Sequence, residues 1–421
     1  MSSGSSSDRA VLTAVALCGT LLPLNSTMLA VALPDIASGT GAGVAASSWL
    51  VTAYVVAMAT LGPFTGRLGD RHGRRRMVLT GLAAFAVASA AASVAPSLAL
   101  LVVARLGQAA AGSLVLPNAV ALLRQALPEG RRASGFGVLG SVIGAAAAVG
   151  PVAGGVLVGA LGWRSIFLVN LPVVLAATIL TVRTLPADRP TPGAAARGAR
   201  HRARAWTGPL RAPVFVAATG AVGLSNLAMY TALLALPIVI ADGPGWSAGA
   251  TGAALAALSL GMVVVAPLGG RLADRVGSRG PAAAGLTLLA ITTAVLAAMG
   301  DAPSAGWLVA ALLTGGVGLG LANAPLQVAA IEAVDPADAG LASGLFSTGR
   351  YAGSIVAALL LGALLGHGSE HAATLFALTT VAAVAAAALT LRLPAPHPAV
   401  SPAAFLRAGF TRLRTDLRYE R

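Results

Sequence analysis

A ten-residue phrase occurs twice in this chain, each time between two long apolar runs. The first copy, GRLGDRHGRR, spans 66–75, and the second, GRLADRVGSR, spans 270–279. Only 10% of the residues are charged, so an arginine-rich turn with one aspartate is not expected to recur by chance. The recurrence predicts two copies of one unit, each with a basic turn on the same side of a membrane.

Twelve apolar segments surround these polar turns. Each is long enough to cross a hydrocarbon core of about 30 Å, and lipid offers no water to satisfy an irregular backbone. The sequence therefore predicts an all-α membrane protein with twelve transmembrane helices in two six-helix bundles. The segments span 11–34, 47–66, 77–96, 98–123, 134–161, 165–185, 213–241, 248–270, 281–299, 306–331, 339–366 and 372–391.

The placement of basic residues predicts the orientation. All 28 are arginine, and all except Arg105, Arg164 and Arg350 fall on one side of the membrane if the N-terminus is inside. Because positively charged loops stay in the cytoplasm, we expect an inner cell membrane protein with both termini cytoplasmic. The net charge of +14 is then a topology signal, and we expect no nucleic-acid partner.

Composition predicts five regions: a cytoplasmic N-terminus (1–10), a first bundle (11–186), a basic linker (187–211), a second bundle (212–392) and a basic tail (393–421). The tail places Leu406, Phe410, Leu413 and Leu417 at helical spacing among arginines. This pattern is typical of an amphipathic helix on anionic inner-leaflet lipids, and equally of a disordered basic tail.

The sequence lacks the motifs that would indicate an enzyme. The sequence has no GxxxxGK[ST] loop for ATP, and no group of histidine, cysteine and carboxylate residues has metal-ligand spacing. The single cysteine leaves no disulfide framework. We therefore expect a monomer with no catalytic residues, no cofactor and no metal.

Two arginines lie inside apolar segments. Arg105 is seven residues into the fourth segment, roughly 10 Å deep, where a charge is a functional hypothesis by default. We expect Asp35, near the outer end of the first segment, to pair with it and carry a proton. The alternatives are a static pair, an Arg105 bonded to backbone carbonyls, or a solvated Asp35. Arg350 is expected either to face a central cavity or to pair with an acid such as Glu332.

Other polar residues occur singly on otherwise apolar segments, at spacings that place them on shared helix faces. Any one of them could be an interhelical hydrogen bond. Together with Arg350 they predict a mainly apolar midplane site between the two halves, suited to an amphiphilic small molecule. The candidates are Asn25, Tyr54, Gln108, Asn226, Tyr230, Asn323 and Gln327.

The motifs resemble those of the major facilitator superfamily, whose two six-helix halves form a parallel repeat. The turn at 66–75 resembles its motif between helices 2 and 3, RLGQ at 105–108 its helix-4 motif, and 144–155 the helix-5 motif of its drug/proton exporters. Residues 24–36 and 162–172 resemble helix 1 and the start of helix 6 in its multidrug branch.

The resemblance implies roles for these motifs. Asp70 would contact the start of helix 11 near 339–340 and hold the cytoplasmic side closed, with Asp274 as a weaker counterpart near 132–133. The alternative is a topology signal alone. The helix-5 cluster would form a tight seam between the halves, or else ordinary small-residue packing. The gating residues are Gly66, Asp70, Arg71, Gly73, Arg74, Asp274 and Arg275, and the helix-5 residues are Gly150, Pro151, Gly154 and Gly155.

Two departures from the multidrug branch bear on function. Asn25 stands where that branch usually has an aspartate, so proton coupling through that position is in doubt. The two extra central helices of the branch are absent. We expect a secondary transporter that exports drugs or amphiphilic molecules by alternating access, coupled to protons. An importer or facilitative uniporter of a small metabolite is the alternative, and a transport-dead receptor or scaffold is a minor one.

Overall fold

The computed structural model describes residues 3–47, 49–185, 207–242, 248–298, 305–365 and 371–394. Twelve helices within these ranges are long and apolar enough to cross a membrane, α6 together with a short turn before it at Ser165–Leu168. The all-helical fold is as predicted. The helices are α1 Ser3–Thr40, α2 Trp49–His72, α3 Arg74–Ser93, α4 Leu98–Ala126, α5 Arg132–Leu161, α6 Asn170–Thr184, α7 Pro213–Asp242, α8 Ala248–Val276, α9 Arg279–Ala298, α10 Ala305–Glu332, α11 Ala339–Leu365 and α12 Ala372–Leu389.

The two halves repeat one packing pattern. In the first half α1 packs on α5 and α6, and α3 packs on α4; in the second, α7 packs on α11 and α12, and α9 packs on α10. A large apolar core is built entirely from the second half, and a separate one from the first. The internal repeat in the sequence therefore reappears as repeated helix pairing.

The halves meet through two helix pairs, α2 with α11 and α5 with α8. The internal repeat relates these two pairs to each other, because α2 in the first half corresponds to α8 in the second, and α5 corresponds to α11. Both pairs are closest at one end of the bundle, where α2, α4, α8 and α10 finish and α3, α5, α9 and α11 begin. We call this the basic end, because the arginine-rich turns lie there.

Glycine has two different uses in the first basic turn. Gly73, between α2 and α3, has φ 101°, a conformation that side chains oppose, and Gly277 after α8 has φ 84°. Gly66 and Gly69 are ordinary helical residues inside α2. Positive φ thus occurs at Gly73 and not at Gly66, whose role is close packing.

Several predictions fall outside the described residues. Nearly all of the linker 187–211 and the tail 393–421 lie there, including the candidate amphipathic helix. The predicted contact of the tail with inner-leaflet lipid therefore stays a prediction.

Candidate transport site

Asp70, near the end of α2, reaches across to the other half of the molecule. The Gly340 amide donates to its Oδ1 at 3.0 Å, and the Leu341 amide donates to its Oδ2 at 2.9 Å. These amides belong to the first turn of α11, where backbone N–H groups lack partners within the helix and form the positive end of its dipole. Asp70 therefore ties α2 to α11, at the position that the family resemblance implied.

Arg74 completes this contact. Its Nη2 donates to Asp70 Oδ1 at 2.6 Å and also to the Pro336 carbonyl oxygen of the second half at 2.7 Å. The Asp70 and Arg74 side chains are each only 7% exposed. We call Asp70, Arg74 and the first turn of α11 the first latch.

Asp274, at the end of α8, makes the equivalent contact with α5. The Ala133 amide donates to Oδ1 at 2.9 Å, and the Ser134 amide donates to Oδ2 at 2.8 Å. The Ser134 hydroxyl donates to Oδ2 as well. No arginine of the described chain lies within ion-pair distance of Asp274. We call Asp274 with the first turn of α5 the second latch.

Glycines allow the helix backbones beside each latch to touch. A Cβ on Gly66 would overlap the Gly340 carbonyl oxygen, and one on Gly270 would overlap the Ala133 carbonyl oxygen. Small residues permit such approaches where lipid supplies no hydrophobic drive for association. Both latches thus depend on glycine at the place where the halves cross.

Further hydrogen bonds between the halves extend inward from the basic end. Arg132 Nη1 lies 3.1 Å from Glu332 Oε1, and the Ser141 hydroxyl donates to the Val263 carbonyl at 2.6 Å. The Thr348 hydroxyl, nine residues into α11 and so about 13 Å deep, donates to the Ala59 carbonyl at 2.5 Å. The basic end is therefore closed to about the middle of the helices.

Arg105, on α4, is completely buried within the first half. Its Nη1 donates to Gln108 Oε1 at 2.9 Å, its Nε donates to the Leu50 carbonyl at 3.4 Å, and its guanidinium lies 4.1 Å from the Tyr54 ring centroid. Nη2 has no hydrogen-bond partner in the described structure. Neutral groups and an aromatic face, not an acid, therefore surround this cation.

Gln108 extends these contacts into a buried polar network. Asn25 Nδ2 donates to Gln108 Oε1 at 3.2 Å, and Asn170 Nδ2 donates to Asn25 Oδ1 at 3.2 Å. Gln108 Nε2 donates to the Ser89 hydroxyl at 2.8 Å. The network links α1, α3, α4 and α6, and each of these four side chains is fully buried. Its members other than Arg105 are neutral.

A cavity of about 90 Å³ lies between the halves, at the depth of these contacts, since its lining includes Phe136 and Ser343, each four residues into its helix. Arg350, Asn323 and Gln327 line it from the second half, with Ser343 and Ser347 beside them. The Nε of Arg350 is buried there without a hydrogen-bond partner. The apolar lining includes Leu116, Val120, Phe136, Ile143 and Met262.

Comparison with known proteins identifies the family. The family model of the Major Facilitator Superfamily matches residues 15–233 and again 218–420, which together are most of the chain. This chain belongs to the major facilitator superfamily. It is a multi-pass membrane transporter of that superfamily, and its two matches follow the two repeated halves.

Relatives within the superfamily cover different shares of the chain. YvkA of Bacillus subtilis (strain 168), an uncharacterized MFS-type transporter, is 30% identical over 403 residues, covering 85% of this chain and 91% of that protein. The multidrug resistance protein Stp of Mycobacterium tuberculosis (strain CDC 1551 / Oshkosh) is 29% identical over 392 residues, covering 81% and 73%. The tetracenomycin C resistance and export protein of Streptomyces glaucescens is 40% identical over 168 residues, covering 40% and 31%.

Gly150, Pro151, Gly154 and Gly155 of the helix-5 motif do not form the predicted seam between the halves. Cβ atoms on Gly150 and Gly154 would meet Thr27 and Met28 of α1, which belongs to the same half. Gly155 has no described atom within 4 Å of such a Cβ, and Pro151 is exposed. The contact with the other half lies earlier in α5, where Gly137 and Gly144 face α8. The seam was predicted about two to five helical turns too far along α5.

The predicted pair of Asp35 and Arg105 is wrong for this structure. Asp35 is exposed on α1, while Arg105 is enclosed by Leu50, Tyr54 and Gln108. No ion pair joins the two among the described residues. The position of each residue along its helix did not determine the direction in which its side chain points.

The cavity candidates separate into three groups. Asn323, Gln327 and Arg350 line the cavity, and Glu332 pairs with Arg132, which leaves the cavity-facing alternative for Arg350. Asn25, Tyr54 and Gln108 lie in or against the buried network of the first half. Asn226 donates to the Val222 carbonyl of its own helix, and Tyr230 is 36% exposed.

Sequence reasoning missed four polar residues of the site. Ser89 and Asn170 belong to the buried network, and Ser343 and Ser347 line the cavity. An asparagine within an apolar segment is a signal that could have identified Asn170. The serines resemble the many other small residues of these helices, and no local pattern marks them.

Proposed function

We propose that this transporter exports amphiphilic small molecules by alternating access of the cavity between its halves. The observation that carries the proposal is the cavity lined by Arg350, Asn323 and Gln327, which lies directly above the two latches of the basic end. A gate on one side of a binding cavity is what alternating access requires. Opening the basic end would load the cavity, and closing it would direct the cargo to the opposite side.

The proposed direction depends on the orientation of the basic end. We place this end in the cytoplasm, because turns rich in arginine are retained there. Both termini are then cytoplasmic, and Arg71 and Arg275, exposed at this end, are available to anionic lipid head groups of the inner leaflet. The names of two relatives, a tetracenomycin C export protein and a multidrug resistance protein, favour export of this class of cargo.

Proton coupling, as part of this proposal, depends on Asp35. Asn25 and the rest of the buried network contain no carboxylate that could take up a proton, and Arg105 has no acidic partner among the described residues. The same observation favours a second candidate, a facilitative uniporter that moves its cargo down an existing gradient. The two candidates differ in their response to a collapsed proton gradient.

The test is dye accumulation in a bacterial host that lacks its own drug pumps, with cationic, neutral and anionic naphthalene dyes. Cells with the parent protein should accumulate less of at least one dye than cells with Gly66→Leu, whose side chain would overlap α11. Gly155→Leu, the same change where no described atom lies within 4 Å, should behave like the parent. Equal accumulation with the parent and with Gly66→Leu would refute export.

Proton coupling is tested in the same cells. If Asp35 carries the proton, a protonophore or Asp35→Asn should each abolish efflux against a gradient while downhill exchange continues. Uphill efflux that survives in Asp35→Asn would place coupling elsewhere. Efflux that runs only down the dye gradient and is insensitive to the protonophore would favour the uniporter.

A further inference from the structure

The charges in the interior of this transporter are unbalanced. Arg105 and Arg350 lie well inside α4 and α11, whereas the acids of the described residues lie at helix ends or in turns, for example Asp70 and Asp274. The remaining acids fall outside the apolar segments of the sequence. Removing a charge from water is expensive unless a partner or hydrogen bonds compensate it. The two arginines therefore need a source of compensation other than a buried carboxylate.

The two arginines differ in how far their surroundings meet this need. Arg105 has an amide oxygen, a backbone carbonyl and an aromatic face around its guanidinium. Arg350 has an aromatic ring centroid 5.7 Å away, at Phe346, and its guanidinium donates no hydrogen bond within the part of the chain that the structure describes. Arg105 thus keeps one guanidinium nitrogen without a partner, whereas the whole guanidinium of Arg350 is left with free donors in the described structure.

The free donors of Arg350 are at a cavity wall. A guanidinium presents five N–H groups in a planar fork that matches the oxygens of a carboxylate or sulfonate. The amides of Asn323 and Gln327 and the hydroxyl of Ser347 add donors to the same cavity, whereas the Ser343 hydroxyl donates to the Ala339 carbonyl. The remaining lining is apolar, with Val120, Phe136, Ile143 and Met262 among its members.

We propose that the cargo is a lipophilic anion, and that Arg350 binds its carboxylate, phenolate or sulfonate group. This inference deepens the proposed export function and rests on it. A cationic cargo would add a second positive charge to an uncompensated one, and a neutral cargo would leave the guanidinium without its counter-charge. An anion supplies the missing charge, and an apolar body fits the rest of the lining.

The size of the cavity adds a detail. At about 90 Å³ it is below the roughly 300–1,000 Å³ of a drug-sized site. In this conformation it accommodates the anionic group and the adjoining part of the molecule. The rest of a larger cargo needs the widening that would accompany separation of the halves.

The test uses purified full-length protein in lipid nanodiscs and two radiolabelled probes of nearly equal shape, naphthalene sulfonate and naphthalene sulfonamide. The sulfonate keeps its charge across the accessible pH range, so protonation does not confuse the result. The parent should bind the sulfonate at least tenfold more tightly than the sulfonamide. Arg350→Gln should abolish that preference, and Arg350→Lys, which keeps the charge, should retain part of it.

Arg183→Gln is the matched control, since it removes one exposed arginine near the end of α6. It should leave the preference unchanged. If Arg350→Gln does not fold, competition on the parent decides: benzoate should displace the sulfonate at concentrations at which benzamide does not. Equal competition, or a folded Arg350→Gln with the parent's preference, would overturn the proposal.

Transport of the same probes in proteoliposomes distinguishes a failure of the anion site from a failure of the export function. Transport of the sulfonate by the parent, and not by Arg350→Gln, would support both the export function and the anion site. Transport of the sulfonamide as fast as the sulfonate would overturn the anion site and leave the export function standing. Transport of neither probe would overturn both.

Discussion

The two latches have the same origin in the repeat but differ in the side chains that bind the aspartate. Asp70 and Asp274 are 204 residues apart, and each accepts two amide hydrogen bonds from the first turn of a helix in the other half. The first latch also includes Arg74, which bridges Asp70 to the Pro336 carbonyl. Ser278 stands at the repeat-equivalent position in the second half. The helix dipole is thus the shared part of the gate, and the arginine is an addition on one side.

The internal symmetry of the molecule therefore extends to backbone geometry and not to side-chain charge. Helix starts and close glycine contacts occur in both copies. An arginine paired with the latch aspartate occurs only in the first copy of the described structure. The gate should therefore respond unequally to equivalent substitutions in its two halves.

The largest effect is expected for Asp70→Asn. It removes the charge that holds both Arg74 and the α11 amides, and hydrogen bonds to charged groups contribute about 1.5–3 kcal/mol each. We expect the equilibrium constant for opening the basic end to increase by roughly 30-fold or more, since about 1.4 kcal/mol corresponds to a factor of ten. Spin labels at His72→Cys and Gly280→Cys, in a Cys18→Ser background, would report the distance between the halves.

The control for that measurement is Glu129→Gln. This change removes a carboxylate at the same end from a side chain that is 88% exposed. Its distance distribution should match the parent. An Asp70→Asn protein with the parent's distribution would show that the first latch contributes nothing to closure.

A smaller shift is expected for Asp274→Asn. The second latch loses its charge but has no arginine to release. We therefore expect the equilibrium constant for opening to increase about tenfold, which corresponds to a loss of roughly 1.4 kcal/mol. The same spin-label pair applies. Since the two sites share no contacts, the double variant should give the sum of the two free-energy changes. A larger shift than that of Asp70→Asn would reverse the ranking of the latches.

Arg74→Gln makes the first latch resemble the second. Asp70 keeps its two α11 amides and loses the bridge to Pro336. The expected opening is about three- to tenfold, because one bridging side chain contributes about 1 kcal/mol. Arg76→Gln, at an exposed position of the same turn, serves as the control. An Arg74→Gln shift as large as that of Asp70→Asn would mean that the dipole contact has little effect.

The smallest expected effect is that of Ser278→Arg, which should shift the equilibrium towards the closed basic end. The new side chain lies four residues after Asp274, the same spacing that joins Asp70 to Arg74. Pairs at this spacing contribute about 0.3–0.5 kcal/mol when exposed, so roughly a twofold shift towards closure is expected. Ser278→Gln controls for side-chain length. A shift towards opening would contradict the equivalence of the two positions.

The sequence supported the fold more firmly than the site. Long apolar runs admit only helices in lipid, and repeated turns at a fixed offset require repeated packing. The contacts of Asp70 and Asp274 followed from the family motif, because each motif lies at the end of one helix where another begins. The fold and the latch contacts could thus be predicted because they depend on where residues stand along the chain.

The site depended on rotation about helix axes, which position along the chain does not determine. Asp35 and Arg105 have suitable depths but face different surroundings, and Gly150 and Gly154 face α1 instead of the other half. Asn170 joined Asn25 only through three-dimensional packing of α1 against α6. Where each apolar face carries a single polar residue, a shift of one residue changes the predicted partner.

The lack of an acid opposite Arg350 also has an electrical consequence. Bacterial cells are negative inside, and moving one elementary charge through 100 mV involves about 2.3 kcal/mol. That energy corresponds to roughly a 50-fold concentration ratio. An exporter that carried its cargo as an anion, and returned empty, would draw this much from the voltage alone. Its turnover would rise with membrane hyperpolarisation, and in a carrier without proton coupling an ionophore that clamps the voltage would stop uphill export even while the pH difference persisted.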